Sequence, residues 1–138
     1  MRVEPYLNFD GRAEEAIKFY KSAVDAKVDM LMRYKENPEP GPSGKTPPGI
    51  ENKVMHATLR IGDSTVMASD GHCQGKMKFS GISLSLSVSN PAEAERSFAA
   101  LSAGGKVEMP LTKTFFSPSF GMVTDPFGIM WMVIAQSA

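Results

Sequence analysis

The chain has 138 residues, enough for one domain with its own core, and its 42% hydrophobic and 22% charged residues are those of a globular protein. Fifteen basic residues balance fifteen acidic ones with no block of like charge, which argues against a nucleic-acid or anionic-membrane partner. No apolar run nears the ~20 residues of a membrane helix. The opening segment has no signal-like apolar stretch and the single cysteine, Cys73, excludes an intrachain disulfide, so the expected compartment is the cytoplasm.

Residues 2–9 alternate loosely and read as a strand, with Pro5 marking an edge or irregular position. Asp10-Gly11 breaks it. Ala13, Ala16, Ile17, Tyr20 and Val24 then recur at helical spacing, which predicts an amphipathic helix over about 12–25. Val28 to Lys35 reads as a second strand. Residues 36–53 hold half of the chain's ten prolines and three glycines, and cannot hold regular structure. A loop of this length is either a mobile insertion or a flap over a pocket mouth or partner subunit.

Val54 to Ile61 and Thr65 to Ser69 are the next strands, joined at Gly62-Asp63. Residues 71–80 form a polar connector. Residues 81–89 alternate strictly, with Ile82, Leu84, Leu86 and Val88 against Ser83, Ser85, Ser87 and Ser89. Asn90-Pro91-Ala92-Glu93 opens a second helix with Asn as N-cap, Pro at N1 and Glu at N3, and Gly104-Gly105 ends it near residue 103. Residues 106–116 and 120–124 are strands. Thr124 to Gly128 is a turn, because Asp favours its first position and Pro presets φ at the next. The apolar run from Ile129 to Ala135 is the buried second arm of the resulting hairpin.

The order strand, helix, three strands occurs twice. Setting residue n against n+79 aligns Leu7 with Leu86, Ala13 with Ala92, Glu14 with Glu93 and Phe19 with Phe98. One helix cannot cover both faces of so small a sheet, so pairing two halves is the physical solution. The expected organisation is one α+β domain of two βαβββ modules, about 1–70 and 81–138.

Several segments carry a resemblance to a known family. They are Pro5 to Phe9 followed by Ala13 to Tyr20, Val54-Met55-His56-Ala57 with Leu59, Ile61-Gly62-Asp63, Val66 to Asp70, and Asp125-Pro126-Phe127-Gly128 with Trp131. Together they span nearly the whole chain, and it resembles the vicinal oxygen chelate superfamily of glyoxalases, extradiol dioxygenases and bleomycin-resistance proteins, most closely the PhnB-like branch. The resemblance implies paired βαβββ modules forming an eight-stranded, half-open sheet around a cavity, and a homodimer. Branch members have carried the label of a 3-demethylubiquinone methyltransferase, but no glycine-rich strand-to-helix turn is present for a nucleotide-like donor.

Enzymes of the superfamily hold a divalent metal by His and Glu side chains, one on each of four strands. Those positions fall near Glu4, Ala68 (or Met67), Ser83 and Met132, and only Glu4 suits a hard cation. No cofactor is therefore expected. Asp70, His72 and Cys73 are close in sequence, and could bind a soft metal or activate the thiol, or could form a solvated loop with an incidental cysteine.

The candidate ligand-binding residues are Tyr6, Asn8, His56, Ser83, Ser85, Met130 and Met132. His56 is either a hydrogen-bonded structural histidine or a cavity group able to transfer protons, which also makes it the candidate catalytic residue. By the resemblance, the serines and Met130, Met132 and Ile134 share the concave face, while Leu84, Leu86, Val88, Trp131 and Val133 pack on helices. Serines on one wall and methionines on another suit a small amphipathic organic molecule. Three readings follow: metal-independent binding, a lyase- or dioxygenase-type enzyme with a remodelled metal or His56 acid–base site, and a dimeric interaction module whose cavity is filled.

Overall fold

The computed structural model describes residues 1–38, 48–71, 73, 75 and 78–137. Eight strands and two helices follow in chain order: β1 (Tyr6–Asn8), α1 (Ala13–Ala23), β2 (Lys27–Arg33), β3 (Val54–Ile61), β4 (Ser64–Ser69), β5 (Leu84–Val88), α2 (Pro91–Ser102), β6 (Lys106–Thr112), β7 (Phe120–Thr124) and β8 (Met130–Ala135). They form two four-stranded mixed sheets of identical topology, β1-β4-β3-β2 and β5-β8-β7-β6. In each, the first and last strands of a module run parallel and the other neighbours are antiparallel. This is the α+β, doubled βαβββ fold of the vicinal oxygen chelate proteins. The chain divides into two compact units, residues 1–77 and 78–138.

In the first unit, register sorts the side chains by face. Leu7 is beside Ala68, Ala68 opposite Ala57 and Val66 opposite Leu59, and all five are buried. The other face carries Tyr6 beside Met67 and Met67 opposite Thr58. Helix α1 has no side-chain cap from its own N-cap residue, Arg12. The Asp70 carboxylate, 1% exposed, replaces it: Oδ1 accepts the N–H of Gly11 at 2.9 Å and of Ala13 at 2.8 Å. Its Oδ2 accepts the Val54 N–H at 2.8 Å, so one side chain ties the helix start to the ends of β3 and β4.

In the second unit, Asn90 caps α2 by accepting the Glu93 N–H at 2.9 Å, with Pro91 as the first helical residue. Helix α2 lies against all four strands of its sheet. Gly121 permits this approach, since a Cβ there would lie 2.7 Å from the Phe98 ring. The β7–β8 turn is closed by Gly128 N–H to Asp125 O at 3.0 Å. Buried Asp125 also accepts from the N–H groups of Phe127 and Ile129 and, through Oδ2, from the Trp131 indole at 2.9 Å.

Differences from the sequence expectation lie at element ends. Pairing of β5 starts at Leu84, so Ser83 precedes the strand. Strand β6 stops at Thr112, because Thr114 to Ser117 folds into a turn in which Thr114 N–H donates to Ser117 O and Thr114 Oγ1 accepts the Ser117 N–H. A 3-10 turn at Tyr34–Glu36 ends β2. Half of the 36–53 segment expected to be mobile, residues 39–47, lies outside the described residues. Where it is described, the segment's base is tied, with Tyr34 N–H bonded to Lys53 O and Lys35 N–H to Glu51 O.

Candidate functional site

The open face of the first sheet carries a connected polar group. Tyr6, 52% exposed, has its hydroxyl 2.8 Å from His56 Nδ1, with ring centroids 5.4 Å apart. His56 Nε2 lies 3.2 Å from Thr58 Oγ1. Both ring nitrogens are therefore paired to hydroxyls, and a neutral imidazole donates to one and accepts from the other. Strand pairing explains the cluster: His56 and Thr58 are two apart on β3, and Tyr6 is one strand removed across β4. Met67 lies between Tyr6 and Thr58 in the same row, Met30 is opposite Thr58, and Met32 is opposite His56. Thr58, Met30 and Met32 were missed in the sequence reading, although the period of two from His56 gives Thr58.

Asn8 is one residue pair further along β1, beside Ser69. Its Oδ1 accepts the Asp10 N–H at 3.0 Å, and its side chain lies against Gly71. It thus shapes the β1–α1 connection. Tyr34 Oη donates to Gly71 O at 2.5 Å, and burial pushes its phenol pKa up.

In the second sheet, Ser85 is beside Met132, and Met132 is opposite Met122, which pairs with Met109. Ser85 is exposed, and Met130, Met132 and Ile134 are half-buried while Trp131, Val133 and Ala135 alternate with them as buried residues. Ser85, Met130 and Met132 accordingly share one face of this sheet. Ser83 lies outside the paired strand.

The positions expected for a metal do not offer a donor set. Ala68 is fully buried on the face with Leu7, so Met67 is the open-face residue of β4. Glu4 is ion-paired to Arg2. Met132 is no ligand for a hard divalent ion. Among the described residues, no group of three or more His, Cys, Asp or Glu is placed to hold an ion. The residues present thus do not fit the superfamily's metal.

Of the Asp70, His72 and Cys73 group, His72 lies outside the described residues. Asp70 is committed to three backbone donors. The Cys73 thiol lies 3.8 Å from Asp70 O, and burial, with the Asp70 charge adding to it, pushes its pKa up, opposite to the shift an activated thiol needs. Nearby, Arg33 pairs with Glu14 at 2.6 Å, and this hydrogen bond holds the Glu14 carboxyl below its ordinary range.

Comparison with known proteins agrees with this architecture. A family model described as 3-demethylubiquinone-9 3-methyltransferase matches residues 1–134. The chain belongs to this PhnB-like family of the vicinal oxygen chelate superfamily. It is 36% identical to protein YjdN of Escherichia coli over 140 residues, covering 96% of this chain and 94% of that one. The solved structure of PA1353 from Pseudomonas aeruginosa matches with a TM-score of 0.85 at 39% identity, over 100% of this chain and 99% of that one. A Bacillus cereus PhnB protein described as a putative 3-demethylubiquinone-9 3-methyltransferase matches with a TM-score of 0.81 at 30% identity, over 98% and 99%. No helix among the described residues is long and apolar enough to cross a membrane.

Proposed function

We propose that this PhnB-like protein binds a small amphipathic organic molecule, without a metal, on the open face of its first sheet. The observation that carries the reading is the Tyr6–His56 hydrogen bond of 2.8 Å beside methionines of β2 and β4. A phenol held at one edge by imidazole keeps capacity to donate or accept toward a guest, and thioether side chains adapt to a guest's apolar body. The family description carries the name 3-demethylubiquinone-9, whose quinone head is a polar-edged ring of the kind such an anchor suits. Methyl transfer is not part of the proposal. The β1–α1 connection has one glycine, Gly11, and its amide is taken by Asp70.

The test uses catechol as probe, titrated into labelled protein with EDTA present and followed by NMR. Saturable shifts at Tyr6, His56 and Thr58 are expected. His56→Ala should weaken binding by about 0.5–1.5 kcal/mol, the usual worth of one hydrogen bond on an open face. The hydrogen-bonded chain from Tyr6 through His56 to Thr58 favours a second reading, acid–base catalysis by His56. Metal-free turnover lost in His56→Ala would move the assignment to that reading. Turnover of catechol or of the methylglyoxal–glutathione adduct that needs Mn, Ni, Zn or Fe, and that Glu4→Gln abolishes, would refute metal-independent binding.

A further inference from the structure

The second unit contains a cavity of about 360 Å³ that lies wholly within it and owes nothing to the Tyr6–His56 group. Its walls come from the start of α2, the β6–β7 loop and the residues after β8. Asn90 and Pro91 form the first wall, Lys113, Thr114 and Phe115 the second, and Gln136 the third.

Short hydrogen bonds fix these walls to one another. Ser117, 3% exposed, has its hydroxyl 2.6 Å from Ala135 O, which ties the loop to the end of β8. The Gln136 N–H donates to Val88 O at 2.9 Å, which ties the tail to the end of β5. Asn90 is held as the α2 cap. The backbone of the cavity is therefore held in place, while the exposed Lys113 and Phe115 side chains order on a guest.

The chemistry of the lining has one sign. Lys113 is exposed and, among the described residues, has no carboxylate within ion-pairing distance. The described lining residues supply amide and hydroxyl groups and no carboxylate. Phe115, fully exposed, presents an unburied ring at the same opening. An exposed cation without an ion-pair partner, neutral donors and an exposed aromatic ring at the rim of one opening match a ligand with an anionic group and a flat apolar body. The volume is at the lower end of ligand sites, which limits the body to about one ring. We infer that this cavity binds a small aromatic carboxylate, its charge on Lys113 and its ring against Phe115.

The experiment is a benzoate titration of the labelled full chain, with neutral benzamide as the matched control. Ligands of this size bind with a Kd on the order of 1 mM. Amide signals of Thr114, Phe115 and Gln136 should shift and saturate with benzoate. Benzamide and the Lys113→Gln variant should each bind about fivefold more weakly, as expected for one solvent-screened charge pair. Lys113→Arg should restore benzoate binding, and Phe115→Ala should weaken both ligands. Equal affinity for benzoate and benzamide, an unchanged Kd in Lys113→Gln, shifts located elsewhere, or no saturation would each overturn the assignment. Both side chains are exposed, so the variants are expected to fold, and retained chemical-shift dispersion checks it.

Discussion

Replacing Asp70 tests whether its carboxylate builds the first unit or serves as a ligand. Oδ1 accepts from Gly11 and Ala13 and Oδ2 from Val54, all within 2.9 Å. Asparagine keeps one oxygen. With that oxygen toward α1, its amide nitrogen faces the Val54 N–H donor to donor; turned around, it leaves Gly11 and Ala13 without their acceptor. The better orientation orphans one buried donor, at about 1–3 kcal/mol, and loses a charge at the positive end of α1, worth about 0.3–1 kcal/mol more. Asp70→Asn should therefore cost about 1.3–4 kcal/mol, a large part of the ~5–15 kcal/mol that holds a domain folded. Asp70→Ala orphans three donors and should cost more. Urea denaturation followed by circular dichroism, with EDTA present, should show a lower midpoint at unchanged slope. Hydrogen exchange should speed up first at the start of α1 and at Val54. A metal ligand with no structural role predicts the reverse: metal-free Asp70→Asn within about 0.5 kcal/mol of wild type, and that outcome would refute the structural assignment.

Three further outcomes are expected. Asp125→Asn should cost less in a Trp131→Phe background than alone, with a coupling of about 1–2 kcal/mol, because the orphaned donor is the indole N–H now held at 2.9 Å; a coupling under about 0.5 kcal/mol would contradict this. The alkylation rate of Cys73 should rise on the alkaline side of a free cysteine's profile, since burial raises the thiol pKa; the matching contribution to stability is fully present below the unfolded-state pKa and is lost as pH climbs through the folded-state one. The edge strands β1 and β2 of one sheet and β5 and β6 of the other leave backbone groups open to pairing, so a homodimer burying more than ~1,000 Å² is expected, and a monomer by light scattering at high concentration would count against it.

The fold was legible because its signals are local and periodic. The Ser83 to Ser89 alternation fixes a strand with one apolar side, and Asn90-Pro91 fixes where α2 begins. The Asp125 to Gly128 turn follows from residue chemistry alone. Strand ends were less legible. Alternation continues through Ile82 and Ser83, but Ile82 is 62% exposed and pairing begins only at Leu84, opposite Trp131. Composition cannot say where a partner strand stops. The one-residue ambiguity on β4 has the same origin. Register resolves it, placing Ala68 beside buried Leu7 and Met67 beside exposed Tyr6.

The site was legible as separate residues and not as contacts. Tyr6 and His56 are fifty positions apart, and only the β1-β4-β3 order brings the hydroxyl to the imidazole. Asp70 shows the same limit. Its nearness to His72 and Cys73 in sequence left local chemistry or a solvated loop open, while its carboxylate reaches back 57 residues to a helix that lacks a cap of its own. The second helix has Asn90 at that position, so no distant carboxylate is needed there. Asp125 instead spends its carboxylate on its own turn and on Trp131. Among the described residues each module thus carries one buried aspartate that accepts at least three bonds, and what each one satisfies depends on which donors its local sequence leaves unpaired. An aspartate committed in this way has little left to offer a metal. With Ala68 and Met132 at two expected metal positions, the connected polar group on the first sheet's open face among the described residues is Tyr6–His56–Thr58.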